Sequence, residues 1–300
     1  MSLSYPTEQG PSCPACTSGA FSHQGTWKSV QGDYDLYKCG DCRLRFSWPM
    51  QPGSADFYAS CPFYSARPQY RLLSLKKILS RDWRIRQFRA LNLPKGRLLD
   101  VGCGHGEMVR AASLMGYEAF GVDMDEKAIA IARKLGIPNV SVGRAEDSKE
   151  GPFDIVTCLD VLEHLQNPVG VLRDFGSALA PGGCIVISVP AWDRGPFLCC
   201  VGTDNPPHHL TMWTETAVNA LAVRAGYDVV EMIRKPYSGQ DFMVRCRHEW
   251  PWINRDIFVV KALRRLLMVP FVASAALLRT LLQCQGATLL AVLSTAGQTR

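Results

Sequence analysis

Four cysteines and two histidines carry the plainest chemistry in this sequence. "CPAC" supplies Cys13 and Cys16, "CGDC" supplies Cys39 and Cys42, and 22 residues separate the two pairs. Two residues between cysteines make a knuckle that aims both sulfurs at one point, and two knuckles complete a tetrahedral thiolate set. Four protein ligands leave no open position, so the zinc expected at Cys13, Cys16, Cys39 and Cys42 is structural and not catalytic. A module of about 40 residues buries too little apolar surface to fold unaided, and metal binding would supply the missing stabilisation. The alternative is four buried free thiols. The histidines lie in "DNPPHHLTMW", Asp204 to Trp213. His208 and His209 could hold a metal, or one could act as a general base. A proline-rich loop ahead of a helix start is the plainer reading.

A third candidate is the glycine turn in "GRLLDVGCGHGEM". An apolar strand runs into Gly102, Gly104 and Gly106, and a helix follows, so a ligand could touch backbone there. A dinucleotide fingerprint wants its third glycine at position 107. That residue is Glu107, whose charge would repel a pyrophosphate at the helix start, so a nicotinamide or flavin dinucleotide fits poorly.

These residues need elements to place them. Of 300 residues, 47% are apolar and 20% charged, which expects a folded globular chain. After the glycine helix the pattern alternates. "EAFGVD" reads as a strand ending in Asp123. "DEKAIAIARKLG" reads as a helix capped by Asp125 and stopped by Gly136. "NVSVG", "FDIVTCLD" and "CIVISVP" read as further strands. The helix in "NPVGVLRDFGSALAPGG" has Asn167 as its cap and Pro168 in its first turn. Uniformly apolar strands separated by helices mean a parallel sheet covered on both faces. Ahead of it, "DYDLYKC" reads as a strand leading into the second knuckle. Arg67 to Arg97 holds ten Lys or Arg and one acid, Asp82. Leu72, Leu75, Leu79 and Trp83 recur there at helical spacing, which expects one buried stripe under a solvated basic face. The charge would also suit phosphates, but no aromatic interleaving for stacking on bases accompanies it. The other eight cysteines are scattered, mostly in apolar runs, and no n-region and h-region pattern opens the chain. A reducing cytoplasm is therefore expected, with the inner membrane face as a further possibility.

Taken in order, "LLDVGCGHG", "GVDMD", "GRAEDS", "FDIVTCLDVLEHLQNP" and "LAPGGCIVISVP" resemble class I S-adenosylmethionine-dependent methyltransferases. The branch they resemble contains the ubiquinone-biosynthesis O-methyltransferase. The likeness covers about Gly96 to Lys235, and "YDLYKCGDCRLRFSWP" is similar to a zinc ribbon found ahead of this domain in some bacterial members. The resemblance implies an α/β fold: a Rossmann-like seven-stranded methyltransferase sheet with a small N-terminal zinc ribbon. It divides the chain into a ribbon at 1–50, a basic helical connector at 51–96 and a methyltransferase domain at 97–300. It also implies S-adenosyl-L-methionine as cofactor. Asp123 would accept the ribose hydroxyls. Gly102, Cys103 and Gly104 would line the adenosyl and methionine portions with backbone, though the Cys103 side chain also suits a small core position. Met124, Ala145 and Glu146 would border adenine, Asp160 would face the methionine part, and Asp100 would orient the turn or the amino group. Asp160, Glu163 and His164 fall at i, i+3 and i+4, so a helical turn would place them on one face. The ubiquinone O-methyltransferases hold a divalent ion with Glu-x-x-Glu-His there; this chain has Asp first, and a capping or substrate-facing role is the plainer reading.

In amino-methylating members an Asn-Pro-Pro-aromatic clamp directly follows the fourth strand. Here "NPPHH" follows the fifth, and His208 stands where the aromatic ring would be, so the clamp reading fails. The segment would instead border the acceptor pocket, with His208 or His209 as a candidate catalytic base. Past the strand "YDVVEMIRKPY", "GATLLAVLST" fits the last antiparallel strand. Between them an apolar insertion at about 245–283 reads as a lid or as a surface lying on a membrane; its longest uncharged run, Leu266 to Leu278, is 13 residues, against the roughly 20 that a spanning helix needs. The reading is methyl transfer to the hydroxyl of a small molecule, sugar or lipid-linked glycan. An RNA base methyltransferase and a non-catalytic cofactor-sensing module are the alternatives.

Overall fold

The computed structural model describes residues 10–54, 57–58, 74–193, 204–236 and 287–297. The insertion read at 245–283 lies outside the described residues. Among them, no helix is long and apolar enough to cross a membrane.

Two sheets organise the chain. The larger has seven strands in the order β10-β11-β8-β7-β4-β5-β6. Strands β4 (Arg97–Val101), β5 (Glu118–Asp123), β6 (Val140–Val142), β7 (Phe153–Leu159) and β8 (Leu179–Pro190) run parallel. β11 (Thr288–Thr295) inserts antiparallel between β8 and β10 (Tyr227–Arg234). This is the place expected for "GATLLAVLST". The central strands bury both faces: Leu98, Leu99, Ile155, Val156, Ile185 and Val186 are all at most 2% exposed, as a doubly covered sheet requires.

One face carries α1 (Leu75–Arg81), α2 (Trp83–Ala90), α3 (Glu107–Leu114) and α4 (Glu126–Lys134), whose Ile78, Phe88, Val109 and Ile129 share one core. The opposite face carries α5 (Pro168–Ala178) and α6 (Glu215–Ala225), with Phe175 and Leu221 in a second core. Local signals end these helices where they should. Asp125 accepts the Lys127 amide, Asn167 accepts the Gly170 amide, and Thr214 caps α6. The connector is not one helix: Asp82 leaves helical geometry and caps α2 through the Arg84 and Ile85 amides. Leu79 and Trp83 of the expected stripe are buried, Leu75 is partly so, and Leu72 lies outside the described residues.

The smaller sheet runs β1 (Phe21–Ser29), β2 (Gly32–Cys39), β3 (Arg45–Trp48) and β9 (Thr211–Met212). Three strands belong to the ribbon, but β9 comes from the segment just after the histidines. Arg45 pairs with Met212 and Phe46 with Thr211. Ser47 donates its amide to the Leu210 carbonyl at 2.9 Å, and Thr214 donates its hydroxyl to the Cys42 carbonyl at 2.9 Å. Leu44, Phe46 and the buried cysteines join the same core as α5 and α6. The ribbon is thus packed into the larger sheet's second face.

Candidate functional site

The four cysteines converge. Cys13 and Cys42 place their Sγ atoms 3.4 Å apart, and Cys16 and Cys39 place theirs 3.5 Å apart. All four sulfurs lie within 4.8 Å of one another. Thiolates around a tetrahedral zinc sit about 3.8 Å apart when Zn–S is about 2.3 Å, so the set has the size such an ion needs. The hydrogen bond from Cys42 pulls the Cys13 thiol well below its ordinary value, against its own burial. Cys42 is pushed up in return, because it holds the shared proton.

The second group forms at the carboxyl edge of the parallel strands, between β4 and β5. The turn after β4 is left-handed at Gly102 and Gly104, with φ of +74° and +52°. A Cβ on Gly102 would meet Val161 at 2.4 Å, whereas one on Gly104 would meet nothing within 4 Å. Gly102 is therefore required by the fold, and Gly104 faces open space where a ligand can approach backbone. Asp123 ends β5 beside this turn. Its Oδ2 accepts the Gly104 amide and its Oδ1 accepts the Asp125 amide, each at 2.8 Å. Each carboxylate oxygen keeps a further lone pair, so a diol could still be bound. Met124 is 66% exposed at the rim. Ala145 and Glu146 sit in a 3₁₀ turn (Ala145–Asp147) after β6. The Cys103 side chain is buried and offers a ligand only its backbone; burial pushes its thiol up.

Asp100 is the buried acid of this cradle. Burial pushes its carboxyl up to about 7, with Glu107 and Asp123 adding to the rise and Thr157 and Arg84 opposing it. The Thr157 hydroxyl donates to Asp100 Oδ1 at 2.6 Å. Three acids facing one turn favour a cationic ligand and disfavour a pyrophosphate. A carboxyl raised in the folded state costs stability once the unfolded chain ionises. The cost grows from about pH 4 to pH 7, at up to about 1.4 kcal/mol per unit, and then levels off. Asp100→Asn, which can still accept from Thr157, should therefore raise the unfolding temperature of the ligand-free protein at pH 8. That gain should vanish near pH 4, and thermal scans across pH check it; an equal gain at both pH values would refute the burial argument.

The turn after β7 separates residues that the sequence placed on one face. Asp160 has a φ of +54°, and only Leu162–His164 form a 3₁₀ turn. Asp160 points back, accepting Arg84 Nη1 at 2.6 Å and the Ser188 hydroxyl at 2.6 Å. Arg84 is itself gripped by Asp82 through Nε at 3.0 Å and Nη2 at 2.6 Å. Burial opposes the Arg84 charge, but Asp160 and Asp82 outweigh it and hold its pKa above the ordinary value. Glu163 and His164 turn the other way, to the histidine loop. The ring centroids of His164, His208 and His209 lie 4.7 to 5.0 Å apart. His164 Nδ1 donates to the His208 carbonyl. Burial, with His208 adding to it, lowers His164 to about 4, so this ring is neutral at pH 7. Glu163 is 1% exposed, and burial, with Asp160 adding to it, pushes its carboxyl well up. The Tyr58 ring packs over His164 and His208.

The expected residues thus fall into three groups: the four cysteines, the acidic cradle around Asp123, and the histidine loop next to it. Arg84 and the partnership of His164 with the loop were missed. Arg84 carried one faint signal, its place two residues after the lone acid of a basic segment.

Residues 75–232 match the family model described as a methyltransferase domain. The curated relatives include the ubiquinone biosynthesis O-methyltransferase of Bordetella avium, 36% identical over 113 residues, covering 35% of this chain and 47% of that protein. That of Bordetella bronchiseptica is 34% identical over 123 residues, covering 38% and 51%. The chain spans about half the length of the curated relatives it matches. Among solved structures, a SAM dependent methyltransferase from Archaeoglobus fulgidus superposes with a TM-score of 0.51 at 19% identity, covering 80% of this chain and 99% of that one. That likeness is one of fold.

Proposed function

We propose a function from one premise: this chain belongs to the methyltransferase domain family. The reading is an enzyme that transfers a methyl group from S-adenosylmethionine to a hydroxyl of a small molecule, sugar or lipid-linked acceptor. The curated relatives, named as O-methyltransferases, support the choice of oxygen. The observation that carries the cofactor is the acidic cradle, where Asp123 keeps lone pairs for a diol beside Gly104, whose missing Cβ leaves open space.

When bound, the cofactor supplies a methyl group made electrophilic by its sulfonium. The chain's own residues do the rest. Asp123 takes the ribose hydroxyls through its remaining lone pairs. Met124, Ala145 and Glu146 border the adenine. Gly102, Cys103 and Gly104 contribute backbone, and Asp100 receives the ammonium, which draws its raised carboxyl back to the ionised form. Asp160, tied to Arg84, holds the turn that separates the cofactor from the acceptor. His208 and His209 border the acceptor, and one of them takes the hydroxyl proton as the methyl moves. Holding acceptor and cofactor in line provides on the order of 7–11 kcal/mol. One zinc ion bound by Cys13, Cys16, Cys39 and Cys42 holds the ribbon. The division into ribbon, connector and catalytic domain at 1–50, 51–96 and 97–300 belongs to this proposal.

Incubation with methyl-labelled cofactor and fractionated extracts tests the reaction. Label should enter a small-molecule, lipid or glycan fraction; label in RNA would overturn the reading, and cofactor binding without any transfer would favour a sensing module. Asp123→Ala should weaken cofactor binding by about tenfold or more, from loss of hydrogen bonds to a charged acceptor. Asp123→Asn, which keeps an acceptor for the turn, should lose less. Calorimetry on both variants checks this, and unchanged affinity would place the ribose elsewhere.

A further inference from the structure

A cationic rim lies on the ribbon side of the histidine loop, where the two sheets meet. We infer that Lys38, Arg43, Arg45 and Trp192 form a binding site for a phosphate or diphosphate group carried by the methyl acceptor. That the anion belongs to the acceptor rests on the methyltransferase reading; anion binding does not.

Lys38 of β2 and Arg45 of β3 are direct cross-strand partners, so both stand on one face of the ribbon sheet. Like charges in that relation repel each other. The pair is gathered on a single indole. Lys38 Nζ lies 5.0 Å and the Arg45 guanidinium carbon 5.6 Å from the Trp192 ring centre, distances at which a ring attracts a cation. The ring is itself fixed, because Trp192 Nε1 donates to the Arg43 carbonyl at 2.8 Å. Arg43 is exposed, with a φ of +63°, and adds a third cation at this end of the sheet. Against these three the second knuckle sets one acid, Asp41. The acid that follows Trp192 is committed elsewhere: Asp193 accepts Arg234 Nη1 and Nη2 at 3.0 and 2.9 Å. Glu215 accepts Nε of the same arginine at 3.0 Å.

Two links tie the rim to the histidine loop. Arg45 pairs with Met212, three residues after His209. The Trp192 amide donates to the Trp213 carbonyl at 3.1 Å. Trp192 lies two residues beyond β8, at the carboxyl edge where open α/β sheets take their ligands. Three residues reach at most about 10 Å, and neighbouring strands add about 5 Å, so the Arg45 and His209 backbones lie within roughly 15 Å of each other. The two side chains and a phosphorylated sugar can close that gap. Phosphate suits the rim better than a carboxylate does. Arginine offers it paired donors, lysine offers a point charge, and three cations match a group that carries two negative charges or more. The cradle around Asp123 does not compete for such a group, since its acids disfavour a pyrophosphate.

The test uses the full chain, with inorganic pyrophosphate as the probe and calorimetry at low salt as the readout. The wild type should bind one pyrophosphate per chain, and K38Q/R45Q should bind it about tenfold more weakly or worse. K28Q/R86Q removes the same charge from exposed positions elsewhere and should bind like the wild type. No binding by the wild type, or equal weakening in both variants, would overturn the site. Should K38Q/R45Q fail to fold, R43N decides, because asparagine tolerates the left-handed backbone and lacks the charge. It should bind pyrophosphate several-fold more weakly, and unchanged affinity would overturn the site. Calorimetry with S-adenosylmethionine separates the two ideas: pyrophosphate binding without cofactor binding sinks the methyltransferase reading, and cofactor binding without pyrophosphate binding sinks this one. The methylated product from fractionated extract should be held by an anion exchanger until phosphatase or phosphodiesterase treatment. With that acceptor, K38Q/R45Q should raise KM and leave kcat little changed. An uncharged product, or label in RNA, would overturn the assignment of the anion to the acceptor.

Discussion

Replacing His209 with alanine should lower turnover by roughly 10²–10⁴-fold, the range by which a positioned group assists removal of a proton. Cofactor affinity should stay near that of the wild type, because His209 lies on the far side of the β7 turn from Asp123. His208→Ala should behave in the same direction. The loss should shrink as pH rises, since the acceptor hydroxyl then ionises with less help. The measurement is turnover and cofactor affinity on the same variant across pH. Near-normal turnover in both would leave proximity as the main source of catalysis and make the histidines structural. Loss of cofactor binding would place the loop against the cofactor instead.

If the four cysteines hold the proposed zinc, Cys39→Ser should remove it together with most of the ribbon's stability. The ion would otherwise contribute roughly 10–16 kcal/mol, the range found for small zinc peptides. The effect should not stop at the ribbon. β3 pairs with β9, and Ser47 holds the Leu210 carbonyl one residue after His209. Loss of the ribbon would therefore loosen the histidine loop while leaving Asp123 and the glycine turn, held by the pairing of β4 with β5, largely intact. Metal analysis should show the zinc lost, and limited proteolysis should show cleavage near residues 204–213 before cleavage near residues 100–125. Full zinc retention would sink the assignment; lost zinc with an unchanged cleavage pattern would sink the coupling.

What could be read from sequence was local. Asp125, Asn167 and Pro168 announce their helices because a cap acts on amides two or three residues away. Gly102 was legible because its left-handed backbone leaves few other residue types. The spacing of the cysteines announced their convergence on one point. What escaped was long-range or non-periodic. β9 is two residues long, too short to carry an alternation pattern. Arg84 meets Asp160 across 76 residues and His164 meets His208 across 44, and no local rule links them. The helical turn expected for Asp160, Glu163 and His164 was broken by the positive φ of Asp160, which Arg84 and Ser188 hold in place. The basic connector looked like a solvated face, yet Arg84 turns inward because two acids, Asp82 and Asp160, compensate its charge.

The fourth strand of the ribbon sheet also has a consequence for synthesis. Ser47 finds its partner Leu210 only 163 residues later. At about 5–20 residues per second the ribosome needs roughly 8–30 s to cover that distance. Throughout that interval β3 would emerge with its outer edge unpaired, the kind of edge that recruits stray strands. The ribbon, made well before β9, is thus completed only after it, and the nascent ribbon is a place where a chaperone would be expected to wait.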